Sequence, residues 1–161
     1  MTSKWVIAVL LILIGVMFLA LLGRKSVRVE LTIRATPDEI WSVLTDSSSY
    51  SAWNPILVAV KGDFHEGATL EVDMKSPDGS VAIVRPRVKK LVPNSEINQF
   101  GGIPGVLTFD HTWRLEAEDG RTRVIQFEEY RGIGVWFWDP AWVEEAYQQA
   151  NINLRNTIES R

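Results

Sequence analysis

The chain has 161 residues, of which 46% are hydrophobic, and carries 17 Lys and Arg against 20 Asp and Glu for a net charge of -3. This is enough apolar material for one cored domain with an appendage, without the basic excess that drives nucleic-acid binding by counterion release. It contains no cysteine, so disulfides, thiolate catalysis and cysteine metal sites are excluded.

From Trp5 to Leu22 no residue carries a charge. A helix over that stretch is about 27 Å long, close to the thickness of a bilayer core. Residues 1-25 are therefore expected to form a single-pass transmembrane anchor, touching the membrane through residues 5-22, with residues 26-161 as a separate folded domain. Lys4, Arg24 and Lys25 are placed to reach the two interfaces, and Trp5 suits an interfacial site. The competing readings are a cleaved signal peptide and, more remotely, a buried helix of a soluble protein. Against the signal peptide, the apolar run exceeds the roughly 7–15 residues of such peptides, and no small-x-small cleavage site follows Ala20. Arg24, Lys25, Arg28 and Arg34 follow the span and only Lys4 precedes it, so the positive-inside rule puts the domain on the cytoplasmic side. Arg28 and Arg34 sit in an expected strand, which lessens their weight in that balance.

Val27, Val29, Leu31 and Ile33 alternate with Arg28, Glu30, Thr32 and Arg34, the period of a strand with one dry face. Thr36 and Glu39 make a capping box with Pro37 at the first helical position, which predicts a short helix burying Ile40, Val43 and Leu44. Asp46 and three serines break it. Tyr50, Trp53, Asn54 and Pro55 form a second short, aromatic helix or turn before an extended Ile56 to Val60. Leu70, Val72 and Met74 alternate with charged residues, and Ser76-Pro77-Asp78-Gly79 is a turn. The next strand is expected from about Val81 to Leu91, with Pro86 at an edge or bulge. Its Arg85, Arg87 and Lys89 share one face, read as solvated rather than as an anion site.

Ile97 to Phe100 is a short strand that ends in the apolar loop Gly101-Gly102-Ile103-Pro104-Gly105. Leu107, Phe109, His111, Trp113 and Leu115 then share one face of a long strand, and Glu118-Asp119-Gly120 turns it into Thr122 to Arg131. On that last strand Ile125 and Phe127 oppose Val124, Gln126, Glu128 and Tyr130, and the pattern does not assign the inner face. Asp139 to Arg161 closes the chain as a helix of roughly six turns. Pro140 suits its first turn and Asp139 its cap. Val143, Ala146, Tyr147, Ala150, Leu154 and Ile158 form one apolar stripe at three- and four-residue steps. A sheet closed over that stripe gives the α+β class.

This element order, with ATPDEIWSVLTD and YSAWNP early, DHTWRLEAEDGRTRVIQFEEYRG late and a long helix last, resembles the START-like superfamily. Within it the chain is most similar to the polyketide cyclase/dehydrase and lipid-transport (SRPBCC) proteins. The likeness runs from about Val27 to Arg161 and leaves the anchor outside. It implies a helix-grip fold: a curved antiparallel sheet of about six to seven strands wrapped around the C-terminal helix, two short helices after the first strand, and an apolar cavity between sheet and helix. It also implies a hydrophobic small molecule or lipid as the ligand, and it supplies no shared catalytic motif.

His111 falls on the dry face of its strand, where an imidazole can orient a carbonyl or hydroxyl or trade a proton near neutral pH. The plainer reading is a core histidine bonded to backbone. Glu128 and Glu129 are strand neighbours facing opposite sides, so one points inward, with His111 or an arginine such as Arg87 as a partner and a raised pKa without one; a surface glutamate beside a structural salt bridge is the rival reading. Trp53, Asn54, Phe109, His111, Trp113, Tyr130 and Tyr147 are the expected ligand-binding set, and Trp41, Trp136, Trp138 and Trp142 are further candidates for a cavity wall; plain packing is the rival role for each Trp. The loop Gly101 to Val106 and the segment Gly132 to Trp138 are candidate rims whose apolar residues can touch membrane. His65 and His111 lie on separate segments without HExxH, and Gly101-Gly102 lacks the lysine and helix of a P-loop, so neither metal nor cofactor is expected. The expected function is a membrane-anchored module that binds a hydrophobic small molecule or lipid. The alternatives are a cyclase- or hydratase-like enzyme using His111 with the inward glutamate, and an interaction domain without a cavity.

Overall fold

The computed structural model describes residues 2–160. An apolar helix, α1 (Thr2–Leu22), leads through Gly23 alone into strand β1 (Arg24–Ile33). Two short helices follow, α2 (Pro37–Leu44) and α3 (Tyr50–Trp53), separated by a single 3-10 turn at Ser47–Ser49. Seven strands come next: β2 (Leu57–Lys61), β3 (Glu71–Lys75), β4 (Val81–Val84), β5 (Arg87–Val92), β6 (Glu96–Ile103), β7 (Leu107–Glu118) and β8 (Arg121–Arg131). A 3-10 turn at Ile133–Trp136 leads to the last helix, α4 (Ala141–Glu159).

Local signals act where the sequence places them. The Thr36 hydroxyl accepts from the Glu39 amide and the Glu39 carboxylate accepts from the Thr36 amide at 2.7 Å, closing the capping box that starts α2. The bond from the Thr36 amide holds the Glu39 carboxyl below its usual range. Asp46 caps the 3-10 turn by accepting from the Ser48 amide at 3.0 Å. Pro140 stands just before α4 rather than inside its first turn, and Asp139 accepts one amide there, that of Ala141 at 3.1 Å.

Five strands pair antiparallel in the order β1-β8-β7-β6-β5, and three in the order β2-β3-β4. Eight strands stand where six to seven are expected. The difference is Pro86: it has no amide to give a ladder, and the run expected as one strand breaks at Arg85-Pro86 into β4 and β5, which join different sheets. The sheets still meet there, through a bridge between Thr69 and Arg87 and the Leu70 amide donating to the Pro86 carbonyl at 2.9 Å.

The register settles the inner face of β8. Glu128 lies opposite His111 of β7 and Val27 of β1, so Val124, Gln126, Glu128 and Tyr130 point inward and Ile125 and Phe127 outward. Ile125 is buried all the same, between Glu30 and Arg114 on the flanking strands.

Helix α4 lies across this inner face. Its C-terminal half buries Ala150, Leu154 and Ile158 in one cluster with Ile33, Trp53, Trp113, Leu115 and Val124. Its N-terminal half buries Val143 and Tyr147 in a second cluster with Val27, Val29, Ile56, Tyr130 and Val135. Asn151 joins the buried stripe at 1% exposure, with neither amide atom hydrogen-bonded among the described residues. Four residues after Tyr147 and three before Leu154, it has no other face to occupy. Helix α1 is long and apolar enough from Lys4 to Leu22 to cross a membrane, and none of that stretch is buried in the domain.

Candidate functional site

Between the N-terminal half of α4, the inner faces of β6 to β8 and the smaller sheet lies a cavity of about 360 Å³. That volume is in the range of small-molecule pockets. Most of its wall is apolar: Ile56, Leu57 and Val60 at β2, Val72 and Met74 on β3, Val84 and Pro86 at the break before β5, Leu107 and Phe109 on β7, and Trp138, Trp142 and Val143 at the start of α4. Its polar side chains are Ser76, Gln99, His111, Glu128, Tyr130 and Tyr147, with Tyr50 turning its hydroxyl away to the Leu44 carbonyl at 2.8 Å.

Glu128 is the centre of the polar end. The hydroxyls of Tyr130, two residues along the same strand face, and of Tyr147, from α4, both donate to its Oε2. No donor among the described residues reaches Oε1. Burial pushes the Glu128 pKa up to about 7, against the pull of the two phenols, and the charge of Asp110 adds to the rise. The carboxyl therefore exchanges its proton near neutral pH. Burial first, and then the Glu128 charge, raise both tyrosines above their ordinary value, so they remain donors.

His111 is 5% exposed and packs edge to face against Trp113 at 5.7 Å and Tyr147 at 5.5 Å. Burial brings its pKa down to about 4, with the Asp110 charge opposing. The Gln126 side-chain nitrogen lies 3.0 Å from its Nε2. Burial disfavours the imidazolium, so the ring is neutral and its Nε2 is engaged by the Gln126 side-chain amide. Its partner is thus a side-chain amide rather than backbone, and Gln126 Oε1 is left buried without one.

Glu129 points to the opposite side of the sheet, between Arg24 and Arg131. Partial burial works to raise its pKa, and the hydrogen bonds from Arg131 and Arg24 outweigh it and leave the carboxyl below its usual range. Arg87 is exposed on β5, and the partners of Glu128 are phenols.

Of the expected ligand-binding set, Phe109, His111, Tyr130 and Tyr147 line the cavity; Trp53, Asn54 and Trp113 do not. Trp53 and Trp113 stand edge to face at 6.4 Å in the solid core beneath the C-terminal half of α4. Asn54 Oδ1 accepts the amides of Ile56 at 3.0 Å and Leu57 at 2.8 Å, which shapes the entry to β2. Among the other tryptophans, Trp138 and Trp142 reach the wall, while Trp41 and Trp136 do not. Gln99 on the cavity wall and Gln126 beside His111 carry no signal in the sequence that marks them as site residues. Gln126 shares the face of Glu128, so fixing the inner side of β8 was the missing step. Among the described residues no group of three His, Asp or Glu could hold a metal ion.

The sequence profile described as polyketide cyclase / dehydrase and lipid transport matches residues 24–159. The chain belongs to that family. Among solved structures, it is similar to an uncharacterised protein from Rhizobium leguminosarum, at TM-score 0.68 and 17% identity over 86% of this chain and 96% of that one. It is likewise similar to the Zhui aromatase/cyclase from a Streptomyces species, at TM-score 0.69 and 17% identity over 86% and 95% of the two chains. A third likeness is to Ara h 8.0201, at TM-score 0.67 and 15% identity over 86% and 100%. At such identities these likenesses establish the fold, a curved antiparallel sheet gripping a long C-terminal helix. The comparison with curated proteins finds no match.

Proposed function

We propose that this protein is a membrane-tethered binding module that holds a hydrophobic small molecule or lipid between sheet and α4, with the polar group of the ligand at Glu128. The observation that supports it is the cavity itself, about 360 Å³ with an apolar wall and one polar end. Apolar ligand surface buried there contributes roughly 25 cal/mol per Å², and the open Oε1 of Glu128 directs one hydrogen bond. Residues 1-25 act as the tether and residues 26-161 as the binding domain, with β1 beginning at Arg24 so that no linker separates them. A tether of this kind raises the effective concentration of the cavity for membrane-dissolved ligands. Arg24, Lys25, Arg28 and Arg34 after the span, against Lys4 and the amino group before it, favour the cytoplasmic side for the domain, which protease protection on intact cells checks.

Solvent extraction of the full chain taken from its native membrane, followed by mass spectrometry, should yield an apolar species in about equal proportion to protein. Met74→Trp puts a larger ring into the cavity and should lose that species. A folded wild-type chain that yields nothing ends this reading.

A second reading, a cyclase- or hydratase-like enzyme, is favoured by one observation, the raised Glu128 directly across the ladder from His111. Glu128 can trade a proton near neutral pH. His111, neutral and engaged at Nε2, does not form a ready acid–base pair with it. That reading requires wild-type protein to convert the extracted species and Glu128→Gln to bind it without converting it.

A further inference from the structure

Four large apolar side chains are exposed beside α1: Ile103 (65%) at the end of β6, Val106 (51%) in the turn to β7, and Trp136 (52%) and Phe137 (85%) just before α4. They are held in place by backbone bonds. The Ile133 amide donates to the Gly105 carbonyl at 3.0 Å and the Gly134 amide to the Val106 carbonyl at 2.7 Å, which locks the two segments side by side. The same unit is fastened to the end of α1: the Gly132 amide donates to the Gly23 carbonyl at 3.1 Å, and the Trp136 indole N–H to the Leu19 carbonyl at 2.9 Å. A Cβ on Gly23 would lie 2.1 Å from the Gly132 carbonyl oxygen, and Gly132 itself has a φ of +120°, so this approach requires both glycines. The apolar loops are therefore fixed level with the last turn of α1.

The charges at this end fit the same picture. Arg24 lies opposite Arg131 in the ladder, both pair with Glu129, and the Lys25 ammonium donates to the Trp138 carbonyl. A basic band next to exposed aromatic and aliphatic side chains is the arrangement found at a bilayer interface. The patch is continuous with α1, of which no residue from Lys4 to Leu22 is buried among the described residues. That continuity points to lipid as the occupant.

We propose that Ile103, Val106, Trp136 and Phe137 form a docking surface that seats the domain on the lipid bilayer around the tether. The surface holds the adjoining cavity wall, Gly102, Leu107 and Trp138, at the membrane interface. From the ladder row of Arg131 and Thr108 at this end, the row of Glu128 and His111 is three residues inward, about 10 Å. The inference rests on reading α1 as a membrane span.

The absence of cysteine makes single-site labelling direct. The full chain is reconstituted in vesicles of phosphatidylcholine and phosphatidylglycerol with an environment-sensitive fluorophore at Phe137→Cys, Ile103→Cys, Leu13→Cys or Asp119→Cys. Asp119 sits in the turn at the far end of β7, roughly 40 Å away along the strand. Lipids spin-labelled high on the acyl chain should quench Phe137 and Ile103 severalfold and leave Asp119 unchanged, while lipids labelled near the chain end should quench Leu13. Quenching at Leu13 without quenching at Phe137 and Ile103 overturns the docking and leaves the tether standing. No quenching at Leu13 overturns the tether and the docking with it. Energy transfer between labelled copies without lipid quenching assigns the patch to self-association and also overturns the proposal.

Discussion

The two halves of α4 meet the same sheet in opposite ways. In the C-terminal half, Ala150, Leu154 and Ile158 close onto Trp53 and Trp113 as a solid core; in the N-terminal half, Val143 and Tyr147 face a cavity with a carboxyl at its end. One amphipathic stripe thus serves both purposes. Packing on one half anchors the helix, which lets the other half stand off from the sheet.

The largest effect should separate the halves directly. Leu154→Ala removes a fully buried side chain from close packing and should cost about 2–5 kcal/mol. Val143→Ala borders open space on one side, has fewer contacts to lose, and should cost about 1 kcal/mol. Denaturant unfolding of the two variants measures the contrast, and equal losses would mean that the cavity is filled in solution.

Next come the titrating groups of the open half. Glu128 has its pKa raised from 4.5 to about 7 by burial, so the stability it contributes is present below pH 4.5 and lost as pH rises through 7. His111 has its pKa lowered from 6.5 to about 4, also by burial, so its contribution is present above pH 6.5 and lost as pH falls through 4. Each is worth on the order of 3 kcal/mol, and between about pH 4.5 and 6.5 the two slopes oppose. Wild-type stability should be nearly flat there. Glu128→Gln should expose a loss on acidification, and His111→Gln a loss as pH rises. A flat profile in both variants would show that neither group is buried as described.

The smallest effect lies at the boundary between the halves. Asn151→Leu removes an amide with no partner among the described residues and keeps the number and branching of the heavy atoms, so it should stabilise the protein by about 1 kcal/mol. A loss instead would mean that the amide binds something inside the protein.

Much of this was legible from neighbouring residues alone. The capping box of Thr36 and Glu39, the alternation of Leu107 to Leu115 and the stripe of α4 each depend on local geometry, so reading them placed the elements within a residue or two. Pro86 was legible as a disruption. That it parts two sheets was not, because Val84 pairs backward with Val72 and Val88 forward with Gln99, a choice that no local pattern fixes. Tyr147 was expected at the ligand, yet its bond to Glu128 depends on where α4 crosses β8. Asn54 and Trp53 carried an aromatic, polar signature suited to a pocket and went instead to a turn and a core.

The sequence by itself determined the apolar helix, the α+β order and the family likeness, since these follow from periodicity and short-range bonding along the chain. Which glutamate faces inward, which tryptophans meet space and which meet each other, and how the loops before β7 and α4 fasten to α1 were decided only by the tertiary structure. Register and helix crossing set those contacts, and a shift of one residue in a strand exchanges Glu128 for Glu129 and turns every other side chain of that strand to the opposite face.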